Sequence, residues 1–405
     1  MKRYIKGPYI DWGEDLNLYV PDDKHGRDPL ASALFTDDAI KTAEIALSET
    51  IKRMTPYWIN SAPLVTGYVT DQGDAHFFYL DEDLKKKIVL LDFIDLGSPL
   101  SLRYIPYCKE WLKRYHGADV EIIGVINSRY SYIKQTEHIA IECKKLGLTF
   151  PIVIDHDFAI WRAFETRFRP RKILLNHEQK IVADFIGSCC HKEIEDEIQN
   201  ALRIISPGLP QPRSLDLLNP KDDEQAYSFG LSPEVTFGLQ KPTPLGNKES
   251  LSENTAENII FQKIEIAKMV PNKPYLHGPW SPSENSIYVS SHAYNKNLFS
   301  GDASVAIKFM GGSVYALIGA KNYLTTDAAS QSRLQVLLNG KPIKDVYKGA
   351  DIKVEEGKKS FIYVHEPRLF EIAKNLPTTD TNTIDILFPS MYVDNIDMFS
   401  FSFGT

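Results

Sequence analysis

Cysteine is scarce in this chain. Cys108, Cys143, Cys189 and Cys190 are the whole set in 405 residues. That is too few to staple a chain of this length, and their spacing matches no zinc pattern. Long apolar runs are missing as well: nothing approaches about 18 consecutive apolar residues, so no transmembrane helix is expected. There is no block of Lys and Arg, and the formal net charge is -7. Nucleic acid and anionic membranes are therefore excluded as favoured partners. The opening MKRYIKGPYIDWGEDLN has basic residues but no apolar segment behind them. It does not read as a signal peptide, and the chain as written is expected to be soluble and cytoplasmic. Repeats, low-complexity tracts and a calcium-type Asp/Asn cluster are also absent, and neither metal nor cofactor is expected.

What is present is ordinary globular composition, 43% hydrophobic and 24% charged, with length enough for two or three domains. Residues 1–57 read as a helical and irregular extension. Its helix is expected over Asp37–Met54, where Ile40, Ala43, Ile45, Ala46 and Ile51 recur at helical spacing. From 58 to 205 strand-like and helix-like segments alternate. Ile88–Phe93 and Val120–Ile126 read as strands, Pro99–Tyr115 and Ser131–Leu146 as helices. Lys172–Leu175 and Ile181–Phe185 read as a hairpin, and Lys192–Ile204 as a closing helix. That alternation predicts an α/β sheet with an antiparallel end. Residues 206–231 begin Pro-rich, SPGLPQPRSLDLLNP, and read as a semi-rigid linker. Beyond it, from 232 to 405, short β-branched and aromatic runs such as ASVAIKF, SVYALIGA and TIDILF recur between turn residues. They predict an all-β sandwich.

One stretch, FIDLGSPLSLRYIPY at 93–107, joins a strand to a helix start. Its simplest explanation is capping: Ser98 at the N-cap bonding a free N–H of the first turn, Pro99 at the first helical position. The longer segment LDFIDLGSPLSLRYIPYCKEWLKRYHGADVEIIGVI also resembles the active-site region of TlpA/DipZ-type thioredoxin-like proteins. In that family a strand leads into D-F-W-x-x-x-C-x-x-C and then L-R-x-x-P-Y. Asp92, Phe93, Leu102, Arg103, Pro106 and Tyr107 match in order, Ile94 replaces the Trp, and Ser98 and Ser101 stand at both cysteine positions. WINSAPL upstream resembles the family's lead-in, and LTFPIVIDHDFAIWRAFETRFRPRKILLNHEQKIV continues the likeness.

The resemblance implies a thioredoxin fold without its chemistry. Disulfide exchange needs a thiolate, which a helix N-terminus makes available from cysteine but not from serine. No histidine in the motif could act as base for Ser98. Pro170, in RFRPRKILL, falls at the family's cis-proline, a position that offers backbone to an extended peptide. The expectation is a redox-inactive binding or scaffold protein. Its partner would be a peptide across Ser98, Ser101 and Pro170, or a carbohydrate on the sandwich.

The alternative is a thiol–disulfide oxidoreductase or redox sensor working through Cys189 and Cys190, which open the closing helix beside His191. Adjacent Cα atoms are about 3.8 Å apart, under the roughly 4.4 Å usual for disulfides. Such a bond would be easily reduced. Cys108 and Cys143 read as core. The C-terminal motifs, among them SPEVTFG, YLHGPWSPSENSIYV and EPRLFEI, resemble the jelly-roll, carbohydrate-binding-module-like domain that follows the thioredoxin domain in DipZ-type proteins. There Trp280, Tyr275 and Tyr288 are candidates for a sugar platform and Arg368 for a polar clamp. The simpler reading of each aromatic is core packing. The family's relatives work outside the cytoplasm.

Overall fold

The computed structural model describes residues 2–5, 10–11 and most of 84–404. Within the last stretch it leaves out 85, 128, 135, 156–157, 159, 162–163, 165, 167, 179, 188–189, 223–230, 241, 250, 252–258, 325–330, 356–358 and 393. The helix expected over 37–54, the lead-in WINSAPL and Cys189 lie outside the described residues. The remainder divides into two compact units, the first up to residue 225 and the second from 226 onward, with Gly97–Pro99 grouped with the second.

In the first unit the elements run β1 (Lys2–Ile5), β2 (Ile10–Asp11), β3 (Ile88–Ile94), α1 (Pro99–Leu102), α2 (Ile105–Arg114) and β4 (Val120–Asn127). They continue with α3 (Thr136–Leu146), β5 (Ile152–Asp155), β6 (Phe168–Arg169), β7 (Arg171–Leu175), β8 (Ile181–Ile186) and α4 (His191–Ile205). The sheet order is β1-β8-β7-β3-β4-β5. β3, β4 and β5 are parallel, and β7 pairs antiparallel with both β3 and β8. This is the α/β sheet with an antiparallel end that the alternation predicts. Every residue of β3 is buried, as befits a central strand covered on both faces. Val89, Leu91 and Phe93 face one core with Ile173, Trp161 and Phe164. Asp92, on the other face, is directed toward α2, where the Cys108 thiol meets its carboxylate.

Three local expectations need correction. The N-terminal segment is not only helical and irregular: β1 joins the sheet edge parallel to β8, and β2 pairs antiparallel with β6. The single helix over Pro99–Tyr115 is two helices. Pro106 lacks an N–H for the Leu102 carbonyl and its ring crowds that turn, so the chain breaks at Arg103–Tyr104 and restarts. The Pro-rich stretch is not a bare spacer over its first half. Pro212 O accepts from Gln199 Nε2 at 2.8 Å, Ser214 Oγ donates to Asp196 at 2.6 Å, and Leu218 N–H donates to the Tyr107 hydroxyl at 2.9 Å. It is strapped along α2 and α4.

The second unit is antiparallel throughout. Its strands are β9 (Val235–Thr236), β10 (Pro274–His277), β11 (Trp280–Pro282), β12 (Ile287–Val289), β13 (Ala303–Phe309), β14 (Ser313–Ala320) and β15 (Ser332–Leu338). Then come β16 (Lys341–Pro342), β17 (Lys353–Val354), β18 (Ser360–Val364), β19 (Arg368–Ala373), β20 (Asn382–Phe388) and β21 (Ile396–Gly404). One sheet has the order β10-β13-β20-β15-β18-β17 with β16 beside β15. The other has β11-β12-β21-β14-β19 with β9 beside β21. Alternate residues of both sheets, such as Val305, Ile307, Ile384 and Ile386 from one and Val314, Ala316, Met398 and Phe401 from the other, form a single core.

Candidate functional site

The site grows from β3. Its last residues carry Asp92 and lead to Asp95, the turn, and the two serines. Ser101 Oγ accepts the Asp95 N–H at 2.9 Å, so this hydroxyl closes the turn. Ser98 is completely buried, and its Oγ has no hydrogen-bond partner among the described residues. The capping bond expected of Ser98 is therefore not made, and the turn is held by Ser101 instead.

Facing this turn, Arg169, Arg171 and Lys172 of RFRPRK are buried. Arg169 Nη1 lies 3.1 Å from Asp95 Oδ2, Arg171 pairs with Asp184 at 2.8 Å, and Lys172 Nζ lies 2.9 Å from Asp92 Oδ1. All six side chains are at most 3% exposed. A buried cation is tolerated only when paired in this way. Arg171 is bidentate, and its Nη1 also donates to Phe164 O and Thr166 Oγ1. Arg169 lies over the Trp161 ring at 4.5 Å, and Arg129 reaches Asp95 from the rim at 3.4 Å. The Arg169–Pro170 peptide bond is cis.

Two further groups bear on chemistry. Cys108 Sγ lies 3.4 Å from Asp92 Oδ2. Burial first, and the Asp92 charge second, push its thiol well above the ordinary range, the opposite of an activated cysteine. Cys143 is pushed up to about 12 by burial. His191 lies between Tyr104 and Tyr107, with ring centroids at 4.8 and 3.9 Å. Burial, then the Lys172 and Arg103 charges, lower its pKa to about 3. The imidazole is thus neutral at ordinary pH. Lys172 Nζ itself lies 3.4 Å above the Tyr104 ring.

The backbone edge before Pro170 is already engaged. β2 pairs with it in register Ile10↔Arg169 and Asp11↔Phe168, and Pro170 O accepts the Gly187 N–H at 2.9 Å. Cys190 is 1% exposed and takes a left-handed conformation, φ 91°, as N-cap of α4.

In the second unit the four carbohydrate candidates do not converge. Trp280 is fully buried, donates Nε1–H to His277 O at 2.9 Å and packs edge-on against Phe388. It is core and offers no face. Tyr275 is 5% exposed, and its hydroxyl accepts the Val270 N–H. A Cβ at Gly246 would fall 2.1 Å from its ring, so that glycine is what lets the chain cover it. Tyr288 carries Lys321 Nζ at 3.2 Å. Arg368 is held by Asp351 at 2.7 Å and lies over Phe370. Trp280 is thereby removed from the sugar platform.

Sequence reasoning missed Asp95, Arg169, Arg171 and Lys172. The signal was there: a carboxylate inside IVLLDFI and cations in an otherwise apolar strand each demand a buried counter-charge.

No family model matches the chain. Protein DipZ of Mycobacterium bovis is 23% identical over 261 residues, 64% of this chain and 35% of that protein. The chain thus spans about a third of the length of the DipZ relatives it matches. Thiol-disulfide oxidoreductase ResA of Bacillus subtilis is 28% identical over 149 residues, 35% of this chain and 78% of that one. Among solved structures, StoA from Bacillus subtilis covers 28% of this chain and 82% of its own at 20% identity and TM-score 0.25. A thiol-disulfide isomerase from Corynebacterium glutamicum covers 36% and 92% at 16% identity and TM-score 0.29. The chain is therefore a relative of thioredoxin-like proteins of the DipZ and ResA type.

Proposed function

We propose that the first unit is a thioredoxin-like binding or scaffold module that performs no disulfide exchange at its former active site. The observation that carries this reading is the pair Ser98 and Ser101 at the strand–helix turn, with the Ser101 hydroxyl closing the turn to Asp95. Serine cannot form the mixed disulfide that exchange requires. The buried Arg169–Asp95 pair and the β2–β6 pairing support the same conclusion. They occupy the turn and the backbone edge with the chain's own groups. A peptide partner would add to that edge by displacing residues 10–11. In this reading residues 58–205 are the thioredoxin-like domain and 206–231 the connection. Residues 232–405 are a jelly-roll of the carbohydrate-binding-module type, for which two antiparallel sheets over one core give support.

A second reading, oxidoreductase or sensor through Cys189 and Cys190, is favoured by one feature. Cys190 directly precedes a helix of 15 residues, whose N-terminus stabilises a thiolate. Thiol-coupled insulin reduction separates the two. The first reading expects no activity from the chain as it is, and activity after Ser98→Cys with Ser101→Cys. Reduction by the unaltered chain that vanishes on Cys189→Ser with Cys190→Ser would establish the second and overturn the first.

A further inference from the structure

The outward face of the larger sheet in the second unit holds a groove of about 440 Å³. That lies in the range of small-molecule sites, ~300–1,000 Å³. Its floor is one row across four strands. Tyr275 on β10 is paired with Ala306 on β13, Ala306 with Asp385 on β20, and Asp385 with Leu337 on β15. Ala306 and Tyr275 pack under Met269 and Ile264, while Ile266 and Leu337 leave apolar surface accessible in the same groove as Asp385. Ile264, Ile266 and Met269 line it from the preceding segment.

Asp385 is the anomaly in this row. Strand alternation places it on the outer face, yet it is only 9% exposed, and its Oδ1 has no hydrogen-bond partner among the described residues. Burial raises its pKa, with the Ser304 hydroxyl and the Lys263 charge opposing the shift. Buried carboxylate oxygens are normally satisfied, and one that is not calls for an explanation. At the rim, Lys263 and Glu265 are both exposed and carry opposite charges. The floor therefore supplies one carboxylate, touched by the Ser304 hydroxyl and the Lys263 charge, whose Oδ1 is left without a hydrogen-bond partner among the described residues.

We propose that this groove binds a primary ammonium on an apolar body, with the Asp385 carboxylate accepting from the ammonium and Ile266 and Leu337 flanking the carbon skeleton. An ionised acceptor at the bottom of an apolar groove selects charge and apolar shape together. An anion would face Asp385. The inference is independent of the reading given for the first unit. The redox assay above leaves it untouched.

The test is titration of the full-length chain with benzylamine, benzyl alcohol and cellobiose, followed by calorimetry and by amide shifts on β13 and β20. Benzylamine is expected to saturate, with benzyl alcohol at least about tenfold weaker and cellobiose silent. Asp385→Asn is expected to abolish the preference for the amine. Lys263→Ala, at an exposed rim position, keeps the test open if the first variant misfolds: removing its charge is expected to tighten benzylamine a few-fold. No saturable amine binding, equal binding of the alcohol, binding of cellobiose instead, or weaker amine binding on Lys263→Ala overturns the proposal.

Discussion

At the scale of single residues, the interior of the first unit is governed by Arg169, Arg171 and Lys172 and the carboxylates that answer them. Such pairs add little net stability but are costly to break singly. Lys172→Met should leave Asp92 buried and uncompensated, with a loss of about 3–5 kcal/mol in denaturant unfolding. Adding Asp92→Leu should recover most of it. A loss under about 1 kcal/mol for the single change would remove the pair from the account. His191 gives a pH signature. Its folded pKa is depressed to about 3 from 6.5, so between these values the unfolded chain binds the extra proton. Stability through this group is complete above 6.5 and is lost as pH falls toward 3. By pH 5 the loss is about 2 kcal/mol relative to pH 7. His191→Phe should flatten the slope of unfolding free energy between pH 7 and 5. An unchanged slope would show that the imidazole is solvated.

At the scale of elements, the central strands and the hairpin were legible because their periodicity is local. β3, β4, β7 and β8 are apolar runs bounded by turn residues, and a buried strand in an α/β sheet reads that way. What could not be read was non-local. β1 and β2 are short and held by backbone bonds to β8 and β6, more than 150 positions away. No periodicity in KRYI or ID announces such pairing. The break between α1 and α2 was legible in principle: Pro106 sits inside the helical pattern, and proline ends a helix nearby. Ser98 makes no capping bond, and the turn is closed by the Ser101 hydroxyl on the Asp95 N–H instead. The β2–β6 pairing makes a prediction of its own. Removing residues 1–11 should speed hydrogen exchange of the β6 amides and leave the central β3 and β4 protected. Equal β6 protection with and without the segment would show that the edge is not covered by it.

At the scale of the whole molecule, each unit has a core of its own. The turn carrying Ser98 and Ser101 and the groove over Asp385 belong to different chemistries. Aromatic content alone could not separate platform from core in the second unit. Trp280 is settled by its bond to His277 O and its contact with Phe388. Trp280→Ala is expected to destabilise that unit by about 3–5 kcal/mol, the cost of a large buried side chain, read by exchange of β13 and β20 amides. A folded, fully stable variant would return this ring to the surface. The central claim is that the thioredoxin frame persists without a working thiol pair. The most direct measurement is a redox titration with alkylation followed by mass spectrometry at each cysteine. The account predicts that Cys108 and Cys143 react only on unfolding and that Cys189 and Cys190 never lose alkylation together. Joint loss of alkylation by Cys189 and Cys190 at one defined potential would contradict it and place a redox centre at the start of α4.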